Sequence, residues 1–266
     1  MPPCDIEIML DEIPYTPEGQ CSYFTDRMSR SRAFRIEGDI PAAFYEVALN
    51  RGFRRCGDIY YLQRCHHCVL CLSYRIRLDA FLPTRSQSRV LRRCRNVTCR
   101  VAEPEPTPEK ESIYLRYQYH QHYLKDQERP GNSVRSNYDE TSLRQTMYFQ
   151  LYTNPSTTRE VMLYLDKRLI GFSIFDVAER SVSAVYSVFD PDFNRCSPGT
   201  LAILRGIEWA RRQNYTFFHL GHFIPGHPKM DYKSRFRPAE IMNPNTGDWQ
   251  DADHFAVEEL AGYHGI

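Results

Sequence analysis

No apolar run in these 266 residues approaches the ~18–20 that a membrane-spanning helix needs. The opening residues, Met1 to Pro14, are acidic and lack the basic start and apolar core of a signal peptide, so a cytoplasmic protein is expected. Lysine is absent between Cys21 and Arg100, yet that stretch holds 16 arginines against 6 acidic residues, an excess of ten positive charges. The whole chain has a net charge of only +1, so the rest carries an opposing acidic excess. A basic front half points to a polyanionic partner touching one domain. Arginine without lysine favours phosphate, because the planar guanidinium fork binds it bidentately. Hydrophobic residues make up 42% of the chain, enough for a packed core. Nine cysteines without a secretory leader suggest thiols or metal ligands more than disulfides.

The most informative stretch is Ser181–Arg212. Ser181 to Phe189 is rich in Val, Tyr and Phe and reads as a strand, stopped by Asp190-Pro191. Ser197-Pro198 then starts a helix, with a hydroxyl placed to cap free N–H groups and proline at the first helical position. Leu201, Leu204, Ile207 and Ala210 follow at helical spacing. A helix N-terminus aimed at a cleft binds anions and oxyanions, so this turn is expected to floor an active site.

Upstream, residues 1–20 look irregular, and Ile40 to Arg51 reads as a helix closed by Gly52. Phe53 to Leu62 is a strand interrupted at Gly57. Cys65-His-His-Cys68-Val-Leu-Cys71 is a metal-ligand or cluster pattern, since two-residue gaps let thiolates converge. Three cysteines are one short of a closed tetrahedral site. Cys21 is the candidate fourth ligand, with His66 and His67 as alternatives, and the spacing does not separate zinc from an iron–sulfur cluster. Leu72 to Leu82 reads as a strand. Thr84 with Gln87 forms a capping box. Behind it Arg85, Arg89, Arg92 and Arg93 form one basic ridge suited to a phosphate backbone.

The proline- and glutamate-rich Val101–Lys110 reads as a stiff linker. It divides the chain into a basic, metal- or cluster-binding domain (1–106) and a second domain (107–266). Beyond it come a helix from Glu111 to about Gln127, a loop over Gly131–Thr141 and a short helix over Leu143–Leu151. Glu160–Asp166 and Leu169–Val177 form a hairpin around Lys167-Arg168. Tyr215–Gly221 is a further strand. The expected fold is α+β: a small N-terminal cysteine-containing domain, then an acetyltransferase-like (GNAT/FemX-like) α/β domain. In that fold a splay between two central strands exposes backbone groups to an acyl carbonyl.

Several stretches then carry a family resemblance. They are Cys21-Ser-Tyr; Gly52-Phe-Arg-Arg-Cys-Gly57; Cys65-x-x-Cys68-x-x-Cys71; Arg85-Ser-Gln; Ser183-Ala-Val-Tyr186; and Phe189-Asp-Pro191. Gly199-Thr-x-Ala-Ile-Leu204, Leu220-Gly221 and Lys229-Met-x-Tyr-Lys233 followed by Phe236-Arg-Pro complete the set. Taken in order they resemble the aminoacyl-tRNA–protein transferases, and the compact length is similar to the bacterial aspartate/glutamate leucyltransferase type. The resemblance implies transfer of leucine or arginine from charged tRNA to the N-terminal α-amine of proteins beginning with Asp or Glu, marking them for N-degron proteolysis. It also places Cys21, Cys65, Cys68 and Cys71 where family members hold a metal or iron–sulfur site. Cys56, Gln121, His222-Phe223 and Pro198 depart from the family pattern, which bears on donor and acceptor preference more than on reaction class.

The donor would be an ester, already activated, and the nucleophile an α-amine with about a tenth or more neutral at pH 7. Such chemistry needs positioning, oxyanion stabilisation and a proton for the leaving ribose oxygen, but no cofactor and no nucleophile triad, and none is recognisable here. Asp190 is expected to orient or deprotonate the amine and Tyr186 to position it or shuttle a proton. Backbone groups at Ser197, Gly199 and Thr200 would face the ester or a phosphate. Lys229, Lys233 and Arg235 would offer charge to the acceptor's acidic side chain or to the tRNA 3′ end. Arg55, His219, His222 and Tyr232 complete the expected substrate-binding set, and a monomer is expected. A thiol–imidazole pair of Cys196 with His219 or His222 is a weaker reading, because aminolysis does not need it. Two rival functions remain. An acetyl-CoA-dependent N-acetyltransferase would want a second glycine in Arg195-Cys-Ser-Pro-Gly199-Thr. A non-enzymatic metal-containing RNA-binding protein would bind RNA with steep salt dependence and transfer nothing.

Overall fold

A computed structural model of the chain describes residues 3–124, 138–153 and 155–260. The expected helix beyond residue 124 and most of the Gly131–Thr141 loop lie outside the described residues. The first segment holds helix α1 (Pro3–Asp11) where irregular chain was expected, then strands β1 (Gly19–Gln20), β2 (Met28–Ser29) and β3 (Ser31–Arg35). Helix α2 (Ala42–Asn50), β4 (Arg54–Cys56), β5 (Ile59–Gln63) and β6 (Leu72–Arg77) follow. Helix α3 (Arg85–Arg93), β7 (Val97–Ala102) and helix α4 (Pro108–Gln118) come next, the last continuing as a π-helical turn over Tyr119–Leu124. The rest is α5 (Glu140–Met147), β8 (Thr158–Leu165), β9 (Arg168–Val177), β10 (Ser181–Phe189), α6 (Pro198–Arg212), β11 (Phe217–Phe223), β12 (Ala239–Met242) and β13 (Trp249–Asp251).

Eight strands form one sheet in the order β13-β12-β6-β11-β10-β9-β8-β7. All neighbours are antiparallel except β10 and β11. This is an α+β architecture, a mixed sheet with the parallel pair β10–β11 at its centre. The expected boundary at 106/107 does not coincide with a break between bodies, however. β6 sits between β12 and β11, and β7 forms the edge beside β8, so the front of the chain supplies two strands to the shared sheet. The proline-rich linker is correspondingly short. β7 runs to Ala102, and Thr107 already caps α4 by accepting from the Lys110 N–H at 3.3 Å.

Both faces of the sheet are covered. On one, Ile203, Leu204 and Ile207 of α6 pack over Phe175, Val182 and Phe218. Val90 and Cys94, from α3 and its C-cap, join Leu163, Ile170 and Leu201 on the same face. On the other, Ile113, Tyr114 and Leu115 of α4 meet Phe172, Ile174 and Val188. The N-terminal unit has its own core of Leu10, Tyr45, Leu49, Phe53 and Tyr60, which reaches Ala178 and Met242 of the main sheet. Its small sheet, β3-β5-β4, carries the hairpin that Gly57 turns at φ +61°.

Local signals hold where they were clear. The capping box is formed: Thr84 Oγ1 accepts from the Gln87 N–H, and Gln87 Oε1 from the Thr84 N–H. The β8–β9 turn falls on Asp166 and Lys167, one residue earlier than expected, both at positive φ. Gly206 lets α6 lie close on the sheet: a Cβ there would stand 2.6 Å from Phe175 Cζ and 3.1 Å from Phe218 Cζ. Both rings are fully buried and have nowhere to move. Gly206→Ala is therefore expected to cost ~1–3 kcal/mol through overpacking, read as a lower urea midpoint at constant slope.

Candidate active site

The sheet opens at its centre. β10 and β11 pair only at Ser181↔Phe217, Val182↔Phe218 and Ser183↔His219, although β10 continues to Phe189 and β11 to Phe223. Each strand breaks register against its other neighbour where the two diverge, β10 between Ala184 and Tyr186 and β11 between His219 and Gly221. Into the wedge comes Arg54 from β4, its Nη2 donating to the Ala184 carbonyl at 3.4 Å. Gly221 admits it. The backbone there has φ +78°, and a Cβ would overlap the Arg54 guanidinium.

Arg54 sets the electrostatics around it. His219 and His222 are buried, and burial followed by nearby guanidinium or ammonium charge pushes both imidazoles well below the usual histidine range. Tyr61, opposite Arg54 in the β4–β5 register, meets His222 edge-on at 6.1 Å. His219 meets Trp249 edge-on at 5.5 Å. Burial, then the neighbouring Cys71 thiol, pushes the Tyr23 hydroxyl up to about 12. Behind Arg54 lies a cavity of about 10 Å³ lined by Ser73, Ser183, His219 and Gly221 among others.

The mouth of the splay is aromatic. Tyr186 is held by Gln118, whose Nε2 donates to its hydroxyl at 3.0 Å. Tyr117 meets Tyr186 edge-on at 6.5 Å and Phe189 at 4.9 Å. The first turn of α6 lies beside them, since a Cβ on Gly199 would touch the Phe189 ring at 3.5 Å. The α3 ridge borders the same region. Arg93 donates to Ser197 Oγ at 3.2 Å, and Gln87 donates to the Arg235 carbonyl at 3.0 Å. Arg85, Arg89, Arg92 and Arg93 are all exposed. Contacts thus tie α3 to the turn at Ser197 and to the 3-10 turn Asp231–Arg235.

Several expected roles change. Arg55 is not at the splay: its side chain and that of Asp176 are both 0% exposed and form a bidentate ion pair at 2.7 Å. Strand alternation explains this, because Arg54 and Arg55 point to opposite sides of β4. Asp190 has no free oxygen for an amine. Arg116 and Arg168 pair with it at 2.9 Å each, and it caps the 3-10 turn Pro191–Cys196 by accepting from the Asp192 N–H. Asp190 anchors the end of β10. Ser197 makes no side-chain cap; it sits left-handed at φ 47° and its hydroxyl accepts from Arg93. Lys233 is buried, its Nζ donating to the His222 carbonyl, and burial followed by Arg54 drives its ammonium well below the usual lysine range. It offers no surface charge to an acidic side chain. His219 and His222 line the wall behind Arg54 rather than an exposed face. Lys229 is half-buried, with its backbone N–H donating to His227 Nδ1 at 3.2 Å. Tyr232 is 39% exposed as a residue. Cys196 stands by Cys94, whose Sγ donates to the Cys196 carbonyl at 3.2 Å, and among the described residues no hydrogen bond joins the Cys196 thiol to His219 or His222. Tyr23 and Arg54 fall within the family-like stretches Cys21-Ser-Tyr and Gly52–Gly57 but carry no assigned role there, and Gln118 and Tyr61 have no such signal; alternation along β4 separates Arg54 from Arg55.

Among the described residues, no three His, Cys, Asp or Glu side chains are gathered as a ready metal site. Cys21, Cys65, Cys68 and Cys71 are nonetheless mutual neighbours. Burial, then Cys65, Cys21 and Cys68 in turn, pushes the Cys71 thiol up. The Tyr23 N–H donates to Cys21 Sγ at 3.4 Å and Arg27 Nη1 to Cys68 Sγ at 3.6 Å. His66 and His67 are exposed, with their rings tilted against each other at 4.8 Å. The donor chemistry fits a soft metal or cluster held by the four sulfurs.

The sequence profiles described as "Arginine-tRNA-protein transferase, N terminus" and "C terminus" match residues 19–89 and 109–243. Aspartate/glutamate leucyltransferase of Leptospira interrogans is 38% identical over 94% of this chain and 95% of its own length. The Stenotrophomonas maltophilia protein of the same name is 34% identical over 90% of this chain and 92% of its own. The chain belongs to the arginine-tRNA-protein transferase family. The transferase class of its reaction follows from that membership. Among solved structures, FemX overlaps 74% of this transferase and 64% of its own chain at 9% identity, with a TM-score of 0.38. The N-terminal profile spans the cysteine loop, the β4–β5 hairpin and the start of α3, and the C-terminal profile spans α4 to β12. The splay is built from both, with Arg54 from the first and Ala184 and Gly221 from the second. Among the described residues no helix of the transferase is long and apolar enough to cross a membrane.

Proposed function

We propose that this transferase moves leucine from the 3′ end of charged tRNA to the N-terminal α-amine of proteins beginning with Asp or Glu, marking them for N-degron proteolysis in the cytoplasm. The curated relatives named aspartate/glutamate leucyltransferase favour leucine as donor, and the wider family description keeps arginine as the second reading. The observation that carries the site assignment is the divergence of β10 from β11, because the released backbone groups lie where an acyl oxygen is held in this fold. The exposed arginines of α3 would hold the tRNA backbone while its end reaches past Ser197 to the splay.

The reaction is aminolysis of an ester. The amine nitrogen bonds to the acyl carbon, the C–O bond to the ribose breaks, and the proton lost by nitrogen ends on the ribose oxygen. Tyr186, fixed by Gln118 and close to Tyr117, is the hydroxyl best placed to position the amine or relay that proton. Ser197, Gly199, Thr200, Tyr232 and Arg235 border the approach of the tRNA end. Cys21, Cys65, Cys68 and Cys71 would hold a zinc ion or iron–sulfur cluster, which when bound would tie the cysteine loop to the start of the basic region. No step of the transfer runs through it.

The test of the tRNA surface is salt. Binding of Leu-tRNA should weaken linearly in log[salt]. Neutralising Arg89 and Arg92 together should reduce the slope by ~0.7–0.9 for each phosphate left without its arginine. An unchanged slope in that double variant removes α3 from the tRNA site.

A further inference from the structure

The two buried arginines among the described residues are both paired. Arg55 has Asp176, the Gly57 carbonyl and Thr158. Arg75 has Glu240 at 2.6 Å and Asn50 at 2.8 Å, and lies over the Phe217 and Trp249 rings. Arg54, in the splay, differs from both. It is half-buried, its Nε is buried with no acceptor, and its one hydrogen bond among the described residues is the long 3.4 Å approach to the Ala184 carbonyl. No carboxylate pairs with it among the described residues. An enclosed charge without a partner is unfavourable, so a residue kept in that state points to a partner that arrives from outside.

We propose that Arg54 is the receptor for the side-chain carboxylate of the acceptor's first residue. The inference rests on the acceptor reading above. Three observations lead to it. The guanidinium sits in the splay itself, where the acyl carbon must be presented. In an N-terminal Asp or Glu the side-chain carboxylate lies only a few bonds from the attacking α-amine, so its receptor has to stand beside the reacting atoms; Lys233, a neighbour of Arg54, is buried and committed to the His222 carbonyl. The fork has donors to spare, and an arginine fork matches a carboxylate bidentately. The surroundings reinforce the charge, because the neighbouring His219 and His222 stay neutral and leave Arg54 as the fixed cation of the β10–β11 wedge. Gly221, glycine at φ +78°, keeps the entry open for it.

A tRNA phosphate is the other oxyanion that reaches this region, and the experiment separates the two. Full-length wild type, Arg54→Gln and Arg54→Lys are compared in transfer from Leu-tRNA to peptides beginning with Asp, Glu, Asn or Gln. Binding of a fluorescent Asp-peptide and of Leu-tRNA is measured in parallel, together with thermal stability. In Arg54→Gln, KM for Asp and Glu peptides should rise about 100-fold and the Asp-over-Asn preference should fall towards one, with tRNA affinity unchanged. Arg54→Lys should recover some of the preference, having the charge without the fork. The melting temperature of Arg54→Gln should hold or rise, since an unpaired enclosed charge has gone. A preserved Asp-over-Asn ratio, a loss of tRNA affinity instead of peptide affinity, or a melting temperature that falls with activity overturns the receptor role. If wild type binds Asp-peptide through Arg54 yet transfers nothing from Leu-tRNA or Arg-tRNA, the receptor stands and the reaction assigned above fails.

Discussion

Asp176→Asn should lower the unfolding free energy by ~3–5 kcal/mol, because it leaves the Arg55 charge sealed without its counter-ion. The two side chains are 0% exposed. Arg55 Nε and Nη2 donate to the two Asp176 oxygens at 2.7 Å, and Thr158 Oγ1 at 2.7 Å and the Tyr45 hydroxyl at 3.1 Å donate to the same carboxylate. Burial opposes the Arg55 charge, and the carboxylate more than restores it, so the guanidinium stays above its ordinary range. Arg55 also donates to the Gly57 carbonyl at 2.6 Å and the Thr153 carbonyl at 3.2 Å. The cluster therefore rivets the β4–β5 hairpin to β8 and β9. Urea unfolding followed by circular dichroism reads the loss. An apolar replacement of both partners, Arg55→Met with Asp176→Leu, should recover most of it. A single-variant loss under about 1 kcal/mol would mean the pair is more hydrated than its enclosure indicates.

Gly221→Ala should cut kcat/KM for acidic acceptors by about 100-fold or more, consistent with misplacing a group beside the reacting atoms. Two effects act together. The left-handed φ of +78° strains any residue with a Cβ, and that Cβ would occupy the space of the Arg54 guanidinium. Arg54 must leave the wedge or the two strands must spread further. Because the substitution lies in the wedge and leaves the α3 arginines unaltered, Leu-tRNA affinity should change less than twofold, roughly within the spread of surface substitutions. Equal losses in tRNA binding and acceptor use would show that the change spreads through the sheet and is not confined to the splay.

Much of this arrangement is legible in local chemistry. Thr84 and Gln87 announce α3 because a capping box is completed within four residues. The strand, stop and helix from Ser181 to Arg212 are written in β-branched residues, Asp-Pro, Ser-Pro and a helical apolar stripe. Long-range partners are what the chain order conceals. Asp190 reads as a turn residue or a base until Arg116 and Arg168, distant in sequence, take both its oxygens. Lys233 reads as a surface cation until its Nζ is found under the His222 carbonyl. Of the adjacent pair Arg54-Arg55, one closes a structural ion pair and the other enters the splay, and only the β4 register tells them apart. β6 and β7 likewise read as belonging to a separate front domain, because strand pairing between segments far apart in the chain leaves no local trace, as in the Arg75↔His219 pair.

The central claim is that an ester at the end of a charged tRNA meets an acidic N-terminus between β10 and β11. The direct measurement offers purified protein both Leu-tRNA and Arg-tRNA, with peptides beginning Asp, Glu, Lys or Arg, and follows peptide mass. The expected result is addition of leucine at the N-terminus of the Asp and Glu peptides alone, abolished or slowed by Arg54→Gln and Gly221→Ala. Mass gain on Lys or Arg peptides, acetyl transfer from acetyl-CoA, or RNA binding with no transfer from either charged tRNA would contradict it.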